Sequence, residues 1–124
     1  MAKKKILIVD DEEILTRTFV NMLEKSGYET YTARNGLDAE IIATEESFGL
    51  IICDIRMPGI NGVETVQRIR KISKNPDFKI IFVTGYADTN TEKKAKEFNP
   101  AGYFHKPFDI QEILLAVKKS MPEA

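Results

Sequence analysis

This chain of 124 residues has one cysteine, Cys53, and one histidine, His105. A single cysteine excludes an internal disulfide. Cys53 sits inside an apolar run with no neighbouring cysteine or histidine, so it reads as a small core residue rather than a reactive thiol. With no second histidine, and a strand pattern that turns it away from Lys106, His105 reads as an ordinary strand-end or partner-facing residue rather than an acid–base catalyst or metal ligand. An excess of either charge is also lacking: Lys and Arg number 18 against 19 Asp and Glu, and a net charge of -1 gives no general attraction to nucleic acid or acidic membranes. The basic start, Lys3 to Lys5, leads into an apolar stretch too short for a signal peptide or a membrane span, so a cytoplasmic protein is expected. No glycine-rich phosphate loop is present, which removes support for P-loop enzymes and dinucleotide-binding folds. At 124 residues the chain suits one domain spanning 1–124, without room for a separate catalytic or DNA-binding module.

What the sequence does have is a recurrence. Four short apolar runs each end in a residue able to handle phosphate or a metal: Ile6 to Val9 in Asp10 and Asp11, Leu50 to Cys53 in Asp54, Ile80 to Val83 in Thr84, and Gly102 to His105 in Lys106. Amphipathic helical stretches alternate with these runs, the pattern of a parallel sheet covered on both faces. Glu29 to Ala33 alternates polar and apolar residues as an edge strand does, whereas the solidly apolar runs before Asp54 and Thr84 suit central strands. The expectation is a doubly wound, flavodoxin-like α/β domain with five parallel strands in the order 2-1-3-4-5 and five helices. Ligands of such sheets bind at the carboxyl edge, where all four chemical strand ends meet.

The helical stretches differ in how well they are anchored. The first carries Leu15, Phe19, Met22 and Leu23 at helical spacing and stops at Gly27. Asn35-Gly36 turns into a second bearing Leu37, Ile41 and Ile42, and Asn61 can cap a third presenting Val63, Val66 and Ile69. The last presents Ile110, Ile113, Leu114 and Val117. The fourth, from about Thr91 to Phe98, has only Ala95 and Phe98 as main apolar residues, so it is either a segment that shifts at little cost or a short solvated helix.

Asp10, Asp11 and Asp54 brought together repel one another unless a cation joins them. An all-oxygen set selects a hard divalent ion, and Mg²⁺, which shares its shell readily with a phosphoryl oxygen, fits best. Lys106 brings a second positive charge, and Thr84 can donate a hydrogen bond to a phosphoryl oxygen. Asp54 is the preferred nucleophile, because it stands alone at the end of a central strand while Asp10 and Asp11 are paired as ligands are. Taken singly, each aspartate also fits a helix cap or turn, Asp11 above all.

The segments Ile6-Leu-Ile-Val-Asp-Asp-Glu12, Ile52-Cys-Asp-Ile-Arg-Met-Pro-Gly-Ile-Asn-Gly62, Val83-Thr-Gly85 and Tyr103-Phe-His-Lys-Pro-Phe108 resemble the receiver domains of two-component response regulators, over essentially the whole chain. The resemblance implies that Asp54 accepts phosphate from a phosphohistidine of a sensor histidine kinase or histidine phosphotransfer protein. It implies that Asp10, Asp11, Asp54 and the backbone carbonyl of Arg56 hold Mg²⁺, and that Thr84 and Lys106 bind the phosphoryl oxygens. It also implies a switch in which Thr84 moves toward the phosphoryl group and Tyr103 turns inward, changing the surface of the fourth helix, fifth strand and fifth helix for a downstream protein. A cis Lys106-Pro107 peptide belongs to the same pattern.

Asn61 stands where the family often has aspartate, a change that keeps a helix cap. Gly85, with no side chain, should keep the phosphate accessible. Arg56 and Tyr86 match positions that tune phosphoryl lifetime, with Arg56 able to contact the phosphoryl group or stack on Tyr86; two solvated loop residues fit the sequence equally well. Three functions stay in play: a stand-alone phosphorylation switch, a Mg²⁺-dependent phosphatase with an aspartyl nucleophile, and a degenerate receiver used for binding. The spacing of Asp10-Asp11 disfavours the second, and the presence of Asp54, Thr84 and Lys106 disfavours the third. A fragment of a longer regulator is a fourth possibility.

Overall fold

The computed structural model describes residues 4–85 and 88–121. Five strands and five helices alternate along them: β1 (Lys5–Val9), α1 (Glu13–Lys25), β2 (Glu29–Ala33), α2 (Gly36–Glu45), β3 (Leu50–Asp54), α3 (Gly62–Ile72), β4 (Lys79–Thr84), α4 (Thr89–Glu97), β5 (Gly102–His105) and α5 (Ile110–Ser120). The sheet is parallel throughout, in the order β2-β1-β3-β4-β5, as the strand patterns predict. The register pairs Ile6 with Leu50 and Leu50 with Lys79, and sets Thr84 against His105. Four chain segments therefore end level on one edge.

Side chains alternate across the sheet and feed two cores. Leu7, Val9, Ile51, Cys53, Ile80 and Phe82 face α2, α3 and α4, meeting Ala39, Ala43, Val63, Val66, Ile69 and Ala95. Ile6, Ile8, Leu50, Ile52, Ile81 and Val83 face α1 and α5, meeting Phe19, Leu23, Ile113 and Val117. Each large apolar side chain so buried contributes about 1.5–3 kcal/mol. The central strand β3 is buried along its whole length, while β2 is buried only at Ala33, in keeping with its place at the edge.

Local chemistry fixes the helix ends. Gly27 follows α1 at φ 94°, in the left-handed region that glycine tolerates. Asn35 and Asn61 cap α2 and α3 by accepting from the backbone N–H groups of Asp38 and Glu64, each at 2.9 Å. Two details depart from the sequence reading. Helix α4 starts at Thr89, not Thr91, because Asp88 caps it through the Thr91 N–H at 2.8 Å. Helix α2 turns Leu37 and Ile41 to solvent, leaving Ile41 59% exposed, and packs through Ala39 and Ala43 instead. Small residues serve on that side because α2 lies close to α3: a Cβ on Gly36 would come within 2.2 Å of the Thr65 hydroxyl. The Arg68 guanidinium also donates two bonds to the Glu40 carboxylate, joining α3 to α2.

Candidate functional site at the carboxyl edge of the sheet

Asp54 is the last residue of β3, Thr84 the last of β4, Asp10 follows β1 and Lys106 follows β5. Asp10 and Asp54 are 2% and 3% exposed, so they reach the edge from inside the fold. The Lys106 ammonium lies 3.1 Å from Asp54 Oδ2, 3.4 Å from Asp10 Oδ2 and 2.6 Å from Glu12 Oε1. Backbone bonds hold this geometry. Lys106 N–H donates to the Thr84 carbonyl at 2.7 Å, Ile55 N–H to the Val83 carbonyl at 3.1 Å, and Gly62 N–H to the Ile55 carbonyl at 2.8 Å. The Lys106-Pro107 peptide is cis. Gly62 is sterically required, since a Cβ there would lie 2.3 Å from the Asp54 carbonyl oxygen.

Burial and like charge set the electrostatics. Desolvation is the main cause that pushes Asp54 from 3.8 up to about 6; Asp10 adds to it, while Lys106 and the Arg56 N–H, which donates to Asp54 Oδ1 at 3.3 Å, oppose it. Asp10 is also raised, first by burial, against the Glu12 N–H, which donates to Asp10 Oδ1 at 2.8 Å, and against Lys106. For Lys106 burial alone would favour the neutral amine, but Glu12, Asp10 and Asp54 outweigh it and hold the charged form. Oxygens of Asp10, Glu12 and Asp54 lie within 4.8 Å of one another. They already surround one cation, the lysine ammonium, so the donor set fits a hard divalent ion.

The edge opens into a cavity of about 510 Å³, lined among others by Asp11, Asp54, Arg56, Gly85 and Lys106. Asp11 is exposed on its wall and stands outside the carboxylate trio; Glu12 is inside it. The sequence reading missed Glu12 because one helix-start residue cannot be ranked above its neighbour from spacing alone. Thr84 Oγ1 is buried and has no hydrogen-bond partner among the described residues. Such a hydroxyl costs stability unless something else uses it. Cys53 is fully buried behind Asp54, and burial pushes its thiol far above the usual range, as suits a core residue. Tyr86 lies outside the described residues, as does Lys3.

Tyr103 packs 6.4 Å from the Phe82 ring and 5.2 Å from His105, and its buried hydroxyl has no hydrogen-bond partner within 3.5 Å among the described residues. Burial, with the Glu92 charge nearby, pushes that phenol up to about 12. The Lys96 ammonium sits 5.4 Å from its ring centroid. His105 is exposed, with Nε2 3.6 Å from Glu92 of α4. Helix α4 buries only Ala95, and the ring of its cap residue Phe98 lies 6.4 Å from Phe82 and 5.7 Å from the Arg70 guanidinium.

A family model for the response regulator receiver domain matches residues 6–118. Sporulation initiation phosphotransferase F of Bacillus subtilis is 38% identical over 122 residues, covering 98% of this chain and 97% of that protein. The polar-differentiation response regulator DivK of Brucella anthropi is 30% identical over 121 residues, covering 98% of each. Among solved structures, chemotaxis protein CheY4 of Vibrio cholerae superposes with a TM-score of 0.86 at 28% identity, covering 97% of this chain and 100% of that one. Response regulator TrrA of Thermotoga maritima, in complex with Mg(2+)-BeF, gives 0.79 at 36% identity, covering 95% and 99%.

Proposed function

This chain belongs to the response regulator receiver domain family, and we propose that within it Asp54 is the phosphoacceptor. The observation that carries the reading is the convergence of Asp10, Asp54, Thr84 and Lys106 at one sheet edge, with the Lys106 ammonium 3.1 Å from Asp54. One Asp54 oxygen attacks the phosphorus of a phosphohistidine: a P–O bond forms, the P–N bond breaks, and the imidazole leaves with a proton. Lys106 holds one phosphoryl oxygen, and the Thr84 hydroxyl, without a partner among the described residues, donates to another. Asp10, Asp11, Asp54 and the Arg56 carbonyl would hold Mg²⁺, which when bound offsets the negative charge that otherwise keeps a phosphoryl group from a carboxylate. Hydrolysis of the acyl phosphate by water returns Asp54 to its starting state.

The domain is in this reading a switch that catalyses only its own phosphorylation and dephosphorylation, with Thr84 and Tyr103 carrying the change to α4, β5 and α5. Its donor is a sensor histidine kinase or a histidine phosphotransfer protein, and its target is another protein, reached in the cytoplasm without direct contact to nucleic acid or membrane. No helix among the described residues is long and apolar enough to cross a membrane. The weak anchoring of α4 supports its place on the moving surface.

The test is incubation with acetyl phosphate, or with beryllium fluoride, with and without Mg²⁺, read by intact mass and amide NMR on the wild type and Asp54→Asn. A Mg²⁺-dependent adduct that the variant loses, with shifts reaching Thr84, Tyr103 and α4, is expected. Phosphate uptake retained by the variant refutes the assignment, and turnover of small phosphate esters would favour the phosphatase reading.

A further inference from the structure

Of the three carboxylates around Lys106, the nearest is not on a strand end: Glu12 Oε1 is 2.6 Å from the ammonium, against 3.1 Å for Asp54 and 3.4 Å for Asp10. Glu12 occupies the N-cap position of α1, where a side chain ordinarily accepts a hydrogen bond from the first turn, yet it makes no such cap bond. Its carboxylate is committed to the lysine instead. Its backbone N–H, donating to Asp10 Oδ1 at 2.8 Å, fixes the main chain beside the cluster. The side chains of the two aspartates are 1% and 4% exposed and tied to strand ends, whereas that of Glu12 is 58% exposed and has room to move.

We propose that Glu12 is a positioning residue for Lys106, an outboard counter-ion that keeps the ammonium when a divalent cation takes over Asp10 and Asp54. The proposal rests on the reading of this edge as the phosphoacceptor site and adds to it a way of clearing that site. The ammonium in the resting protein occupies oxygens that the cation needs. Without Glu12, the described residues that pair with it are the two aspartates alone, and the cation must displace it from both. Loss of the carboxylate also removes a negative charge close to the cation. Both effects have the same sign, so Glu12→Gln weakens divalent binding, by about three- to tenfold for one solvent-screened charge. The same carboxylate then holds the lysine over the cavity, within reach of an arriving phosphoryl group.

The experiment is a Mg²⁺ titration followed by amide NMR, with ¹⁵N detection of the Lys106 ammonium, on the wild type, Glu12→Gln, Glu12→Asp and Asp54→Asn. The wild type keeps a protected ammonium signal with and without Mg²⁺. Glu12→Gln loses that signal once Mg²⁺ is added and binds Mg²⁺ about three- to tenfold more weakly. Glu12→Asp falls between the two. Unchanged or tighter Mg²⁺ binding in Glu12→Gln overturns the proposal, and so does loss of the wild-type ammonium signal on adding Mg²⁺, which would mean that Glu12 ligates the ion directly. If the wild type binds no Mg²⁺, or Asp54→Asn binds it as well as the wild type does, the phosphoacceptor reading itself fails.

Discussion

Asp54→Asn makes the metal-free domain more stable, and the structure gives the size and the pH dependence of the gain. Burial and the neighbouring Asp10 raise the Asp54 carboxyl from 3.8 to about 6 in the folded protein. At about 1.4 kcal/mol per pH unit, keeping it ionised at neutral pH costs at most about 3 kcal/mol of folding free energy. The amide gives up the charged partner of Lys106, though Glu12 and Asp10 remain, so a net gain of about 1–2 kcal/mol is expected, or about 4–8 °C in Tm. The folded state binds this proton more tightly than the unfolded chain, so stability from the protonated group is fully present below the unfolded value and is lost as pH rises through about 6. The advantage of the variant is therefore nearly complete above about pH 6.5 and fades to nothing below about pH 3, where the wild-type carboxyl is neutral in both states. Urea and thermal melts followed by circular dichroism, in chelator, at several pH values measure this. Millimolar Mg²⁺ should narrow or reverse the order, since it stabilises the protein that binds it more tightly. A variant no more stable than the wild type above about pH 6.5, or a gain that does not change with pH, would refute the electrostatic account.

Other substitutions separate site chemistry from fold. Thr84→Val removes a buried hydroxyl that has no partner among the described residues, so stability should stay within about 1 kcal/mol of the wild type or rise, while beryllium fluoride no longer shifts amides at Tyr103 and α4. Lys106→Ala leaves Asp10, Glu12 and Asp54 facing one another; it should cost about 1–3 kcal/mol above about pH 6.5, recover as acid neutralises the cluster, and form some adduct without the amide shifts of the switch surface. Gly62→Ala places a methyl against the Asp54 carbonyl and should cost more than about 2 kcal/mol while disturbing the site, as denaturation and adduct yield together would record.

Most of the site was legible because its residues follow directly on strands, and a buried parallel strand is the easiest element to read from an apolar run. Asp54, Thr84 and Lys106 needed only correct strand ends and strand order. Glu12 was not legible, because its role depends on which way the first turn of α1 faces, a matter of packing and not of spacing. Helix α2 shows a related limit. Its apolar residues are spread round the helix between polar ones such as Asp38, Glu40 and Thr44, so no period picks out its inner face, and close approach to α3 at Gly36 decides in favour of Ala39 and Ala43 over Leu37 and Ile41. The start of α4 moved by two residues because a capping aspartate outweighs the polar character of the first turn.

All-parallel pairing has a consequence for the making of the protein. Adjacent strands are never adjacent in sequence by a tight turn, and the ion pair that completes the site joins residues 96 positions apart. Contacts of such long range form late in folding and in synthesis, after the intervening loops have closed. A nascent chain carries Asp10 and Asp54 well before it carries Lys106, and until β5 docks on β4 nothing brings the lysine to them. If Lys106 couples phosphate uptake to the switch surface, as proposed, that coupling is a property of the finished sheet: a stalled or truncated chain, even one with its aspartates in place, sends no signal.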